Sequence, residues 1–150
     1  MRAVIQRVSS ASVSIENKVV GQINGGLLIL LGIEAEDGSA DVDYLCKKIS
    51  QMRIFSDDEG KMNLNLEEAN GNCLVVSQFT LHASTKKGNR PSFIKAARPD
   101  AAIPLYNSFI KTMSDLLNKK IETGEFGAMM DVSLVNDGPV TILMDSKNKE

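Results

Sequence analysis

The chain is 150 residues long, the length of one ordinary domain. Apolar residues make up 43% and charged residues 24%, which excludes a disordered or collagen-like chain, and folding at this size hides roughly 70% of the unfolded surface, so a sizeable core forms without staples. Seventeen basic against nineteen acidic residues leave a net charge of −2, so no global basic field advertises nucleic acid.

Residues 1–16, MRAVIQRVSSASVSIE, interrupt their apolar positions with Arg2, Gln6, Arg7 and serines and lack the apolar stretch of a signal peptide. The longest apolar run, Leu27 to Leu31, reaches Ile33 only across Gly32, far short of the ~20 residues that span a bilayer. The expectation is a cytoplasmic chain with no membrane partner. Cys46 and Cys73, without a CxxC pairing, fit a reduced interior.

In chain order, residues 3–8 and 12–16 alternate as two strands, with Val13 and Ile15 on one face. Residues 18–24 predict a third, and Gly25-Gly26 the turn after it. GLLILLGI at 26–33 is a continuous apolar run, the pattern of a strand covered on both faces. Four strands at hairpin spacing imply a mostly antiparallel sheet. The period then changes: Val42, Leu45, Ile49 and Met52 mark an amphipathic helix that Ser39 or Asp41 can cap. Asp57, Asp58 and Gly60 signal a turn, and LVVSQFTL at 74–81 returns to strand character. Residues 84–98 read as a surface loop carrying Lys86, Lys87, Arg90, Lys95 and Arg98. A second helix covers about 100–120, with Leu105, Phe109, Met113, Leu116 and Leu117 on its apolar stripe and Pro104 in its first turn. Strands at 131–135 and 140–144 flank Asn136-Asp137-Gly138-Pro139, which by turn chemistry reads as a plain hairpin turn. With no linker or repeat, the expectation is one α/β domain over 1–150, its mostly antiparallel, barrel-like sheets accompanied by two main helices.

The common chemistries find little support. The lone histidine, His82, and two distant cysteines do not build a zinc site, so no metal is expected. Neither GxxxxGK[ST] nor GxGxxG occurs, so no nucleotide cofactor is expected. On a strand, Thr80 and His82 share a face while Ser77 points away, leaving a Thr80–His82 nucleophile pair geometrically open. The plainer reading of His82 is a half-exposed residue at a strand end.

Two segments stand out. Ser77, Gln78, Phe79 and Thr80 place polar groups in an apolar strand, where they either face water or line a cavity. Asn136–Thr141 holds a Gly before a Pro, which opens backbone angles closed to other residues, and an X–Pro bond is the one peptide bond able to be cis at appreciable frequency. SQFT at 77–80 together with NDGPVT at 136–141 resembles the paired signature of the D-aminoacyl-tRNA deacylases, a family of chiral-proofreading hydrolases. The similarity extends through Gln6-Arg7-Val8, RIFSDDEGKMN at 53–63 and Arg90-Pro91-Ser92-Phe93, in the family's order and over nearly the whole chain.

The resemblance implies a homodimer with active sites at the subunit interface and a tRNA substrate whose acyl ester is hydrolysed. It implies a cis Gly138–Pro139 bond whose turn enters the partner's pocket as a filter against L-aminoacyl groups, admitting D residues and glycine. It also implies that Ser77, Gln78, Phe79 and Thr80 form the catalytic floor, that Asn136 and Arg7 serve substrate binding and chiral selection together with Gly138 and Pro139, Arg7 by helping to hold the turn, and that the ribose 2′-hydroxyl assists hydrolysis. Lys86, Lys87 and Arg90 are the expected tRNA contacts, since affinity for phosphates comes from local cations rather than the whole-chain sum.

Overall fold

The first element, β1 (Arg2–Ile15), is a single 14-residue strand where two shorter ones are expected. Its pairing with the C-terminal strand shifts between Gln6 and Val8 and again between Val8 and Ser10. Such irregularities bend a strand without ending it. The two-residue turn Glu16-Asn17, with φ of 48° and 63°, folds β2 (Lys18–Ile23) back onto the C-terminal half of β1. β3 (Gly26–Gly32) pairs antiparallel with the N-terminal half. The computed structural model describes residues 1–149.

α1 (Ser39–Gln51) is capped by neither Ser39 nor Asp41 from the N-cap position, which Gly38 occupies. Asp41 acts from the third helical position, its carboxylate accepting from the Gly38 N–H at 2.9 Å. After the short hairpin β4 (Phe55–Ser56) and β5 (Met62–Leu64), β6 (Asn72–Ser77) returns parallel to β3. α2 (Pro99–Leu117) then carries the chain across again, and β7 (Glu122–Thr123) lies parallel to β6. The sheet is therefore mixed: antiparallel around β1, and parallel where helices form the crossovers that parallel strands require.

In the order β2-β1-β3-β6-β7 the sheet curls until its ends meet. A Cβ added at Gly21 of β2 would stand 2.4 Å from the Thr123 carbonyl oxygen of β7, so only glycine permits this near-closure into a barrel. Val8, Ala11, Val13, Ile23, Leu28, Leu74 and Val76 form one core cluster. The other packs Ile5, Leu27, Ile29, Leu31 and Val75 against Val42, Leu45 and Ile49 of α1 and Phe109 and Met113 of α2. β3 thus sends Leu28 to one cluster and its odd-numbered neighbours to the other, which accounts for its unbroken apolar run.

Further expectations are corrected. The strand read at 74–81 stops at Ser77, and Phe79–His82 is a 3₁₀ turn, so Thr80 and His82 do not share a strand face. Pro104 is the sixth residue of α2 rather than part of its first turn, and Leu116 is 46% exposed while Ala102 and Tyr106 join the buried stripe. Residues 131–135 and 140–144 are not arms of a hairpin: both belong to β8 (Asp131–Asp145), which runs antiparallel along β1 from Ser14 to Arg2.

Replacing Gly21 with alanine forces β2 away from β7 and is expected to destabilise the fold by about 1–3 kcal/mol, the usual cost of overpacking. Urea unfolding of the two forms measures it.

Candidate active site

The Asn136–Thr141 segment is a bulge within β8. Val8 pairs with Asn136 and Gln6 with Thr141, so two steps along β1 span five along β8, and the surplus residues loop outward. The Gly138–Pro139 bond in this loop is cis. At the base, the Thr141 hydroxyl donates to Gln6 Oε1. Asn136, Asp137, Gly138 and Pro139 are all exposed.

Arg7 anchors the bulge. The residue is 8% exposed, and a guanidinium at that depth must have its donors satisfied. Nε donates to the Asp137 carbonyl at 3.1 Å and lies 3.2 Å from the Asp137 carboxylate, while Nη1 donates to the Ile54 carbonyl at 2.6 Å. The RIFSDDEGKMN segment thereby buttresses the loop from below. Its own shape is kept by Arg53, which donates to the Asn63 carbonyl at 2.7 Å, and by Asp57, whose carboxylate accepts from Asn63 and from two backbone N–H groups. The Asn63 hydrogen bond is the largest influence on Asp57, and with the backbone bonds it holds that carboxyl below its ordinary range.

SQFT lies elsewhere in the chain. Ser77 ends β6, the Gln78 N–H donates to the Leu31 carbonyl at 2.8 Å, and the Gln78 side-chain amide donates to Thr80 Oγ1. The chain then enters the 3₁₀ turn, whose first N–H groups, those of Phe79 and Thr80, lack intrahelical partners by geometry. Ser77, Gln78 and Phe79 edge a cleft of about 660 Å³ that Phe93, Arg98, Phe126, Met129 and Met130 also line. Phe79, 55% exposed, meets Phe93 edge to face with ring centroids 5.1 Å apart. None of residues 136–139 lines this cleft. One chain therefore does not bring its two signature segments into one cavity.

The remaining candidates fall into place around these. Lys86, Lys87 and Arg90 are exposed on a loop closed by paired backbone hydrogen bonds between Ser84 and Ser92 at 2.8 and 2.9 Å. Among the described residues none of the three forms a salt bridge. His82 is buried rather than half exposed, and neither ring nitrogen makes a hydrogen bond within the described residues. Burial pushes the Cys46 thiol up to about 12 and raises that of Cys73 further, so neither is a thiolate nucleophile at neutral pH. Phe126, Met129 and Met130 escaped the sequence reading: a short apolar stretch beside glycines carries no periodic signal, and its approach to β6 is tertiary.

A family model described as D-Tyr-tRNA(Tyr) deacylase matches residues 4–145. The chain belongs to this family. Curated D-aminoacyl-tRNA deacylases from Bacteroides thetaiotaomicron and Cytophaga hutchinsonii are 61% and 63% identical to it over all 150 residues, covering 100% of each chain. Among solved structures, a protein titled c-Myc DNA Unwinding Element Binding Protein superposes with a TM-score of 0.91 at 38% identity, covering 97% of this chain and 98% of that one. A second, titled as a probable eukaryotic D-amino acid tRNA deacylase, gives a TM-score of 0.81 at 16% identity, covering 95% and 97%, and shows the shared fold.

At Gly138, φ is +124° and an added Cβ would meet Val140 Cγ2 at 2.9 Å, the Val140 nitrogen at 3.0 Å and Arg7 Nη2 at 3.1 Å. Gly138→Ala is therefore expected to displace the loop from Arg7 and to destabilise it by about 1–3 kcal/mol locally. Faster amide hydrogen exchange at residues 137–141, with global unfolding little changed, is the expected readout.

Proposed function

We propose that this chain is a D-aminoacyl-tRNA deacylase, hydrolysing the ester that joins a D-amino acid, or mischarged glycine, to the terminal ribose of tRNA. The observation that carries the reading is the Ser77–Phe79 edge of an apolar cleft in a chain of this family, ending in a turn whose leading N–H groups are free of helical partners. An aminoacyl ester is an activated acyl group, so positioning and donors for the developing oxyanion carry most of what its hydrolysis needs. The N–H groups of Phe79 and Thr80 supply those donors, and the ribose 2′-hydroxyl assists the attack. Thr80 Oγ1 accepts from the Gln78 side-chain amide, a contact that supports a scaffolding role for it in the turn.

Chirality is sorted by exclusion: main-chain oxygens of Gly138 and Pro139 occupy the space that an L side chain needs. Because these residues stand outside the cleft of their own chain, the filter belongs to a homodimer in which the loop of one subunit enters the cleft of the other. Two features support this. β8 pairs with β1 alone among the described strands, and Leu134, Val135 and Leu143 on it are 37%, 56% and 74% exposed. Lys86, Lys87 and Arg90 contact the acceptor-end phosphates, and the site works in the cytoplasm without a cofactor.

Incubating the protein with D-tyrosyl-tRNA and L-tyrosyl-tRNA tests the reading: ester loss from the D form alone is expected, and stability of both esters would leave an RNA-binding module. Thr80→Val is expected to retain substantial deacylation, and an acyl-enzyme trapped on Thr80 would replace the 2′-hydroxyl route with covalent attack. Replacing Lys86, Lys87 and Arg90 together with alanine should raise KM, leave kcat near its original value, and flatten the salt dependence of log KM by roughly 2–3.

A further inference from the structure

We propose that Arg2 is a positioning residue for deacylation: seated on Asp145, it fixes the 3₁₀ turn that presents Phe79 to the cleft, with Thr80 next in the turn. The proposal rests on the reading of that turn as the oxyanion-binding element.

A four-residue 3₁₀ turn has poor internal hydrogen-bond geometry, so contacts from outside decide its orientation. At its start the turn is tied to β3 through the Gln78 N–H and the Leu31 carbonyl, 2.8 Å apart. At its end, Arg2 Nη1 donates to the Leu81 carbonyl at 3.0 Å. Arg2 stands where β1 begins and β3 and β8 end, pairing with Gly32 of β3 and Asp145 of β8. Its Nε donates to Asp145 Oδ2 at 2.8 Å, and the other carboxylate oxygen accepts from the backbone N–H groups of Lys147 and Asn148 at 2.9 and 3.3 Å. The guanidinium is thus aimed by a carboxylate that is itself held.

The turn has little slack to absorb a disturbance. It lies directly on Gly32, where an added Cβ would meet Leu81 Cβ at 2.9 Å, the Gln78 carbonyl oxygen at 3.0 Å and His82 Cδ2 at 3.2 Å. His82, 2% exposed, closes the space behind it, with Nδ1 3.9 Å from Glu34 Oε2. A shift at Leu81 therefore passes along the backbone to Thr80 and Phe79. Arg2, by contrast, has a side chain 42% exposed, and an ion pair so open to solvent adds little stability. Nor does Arg2 line the cleft. Its loss should register in turnover rather than in stability or substrate affinity.

The test uses the full chain with Arg2→Met, Arg2→Lys, Asp145→Asn and the Arg2→Met/Asp145→Asn double variant. For Arg2→Met, kcat on D-tyrosyl-tRNA is expected to fall on the order of tenfold or more, since small misplacements of a catalytic group are costly. KM should stay within about twofold, with the thermal midpoint nearly unchanged. Arg2→Lys, which keeps a donor for the Leu81 carbonyl, should recover part of the loss, and the double variant should be no slower than Arg2→Met alone because the residues act as one unit. Amide resonances of Phe79 and Thr80 should move in Arg2→Met. Unchanged kcat, or a lower thermal midpoint with those resonances unmoved, would overturn the proposal. Should the unaltered protein hydrolyse no ester, the deacylase reading fails, while the amide resonances still report whether Arg2 holds the turn.

Discussion

The buried guanidinium of Arg7, midway along β1, ties together three parts of the molecule that the backbone alone would leave independent. Its donors are satisfied by the Ile54 carbonyl, before the β4–β5 hairpin, and by Asp137, within the β8 bulge. Breaking either contact would strip a guanidinium 8% exposed of one of its two partners, a penalty above that of losing a surface ion pair. The hairpin and the Gly138–Pro139 loop are thus held to one strand and, through it, to one another. β1 extends this constraint across the sheet, since β2, β3 and β8 all pair with it.

Two segments on this frame are presented differently. The bulge is pushed out to solvent by surplus residues in β8, whereas SQFT ends an interior strand and turns along the rim of a cleft. The groups that burial perturbs most are the structural ones: the two thiols, and Tyr106, whose hydroxyl donates to the Val75 carbonyl at 2.9 Å and is pushed up to about 12. What the cleft edge offers is backbone N–H groups at a helical turn, a kind of donor that carries no pKa and needs only to be held still.

Much of this frame could be read from residue patterns. The 3.6-residue period over α1 and α2 and the unbroken apolar run of β3 follow from local rules, because a helix stripe and a doubly covered strand leave their periods in the chain. The paired motifs at 77–80 and 136–141 likewise stood out, since polar groups in an apolar strand and a Gly-Pro in a turn-rich segment are visible without coordinates. Other features were not visible. Nothing local distinguishes a hairpin turn from a bulge at 136–139, because Asn, Asp, Gly and Pro suit both; the choice was made by β1, which is long enough to pair with both flanking strands. The strand reading of 78–81 failed for a related reason. Residues 79–82 sit past the last pairing position of β6, opposite Leu31, and without a ladder the chain closes its own i→i+3 bonds.

The amino-acid sequence by itself determined the helical periods and the motifs, and with them the class of fold and the kinship with the deacylases, because each motif and each period is carried by residues close together in the chain. Tertiary structure alone decided that Arg7 reaches Ile54 and Asp137, that Arg2 reaches Leu81, that Phe126 and Met130 complete the cleft, and that the two signature segments of one chain face different spaces. Those outcomes depend on how a bent 14-residue strand and a sheet closing at Gly21 bring distant segments into register, and no local pattern carries that distance.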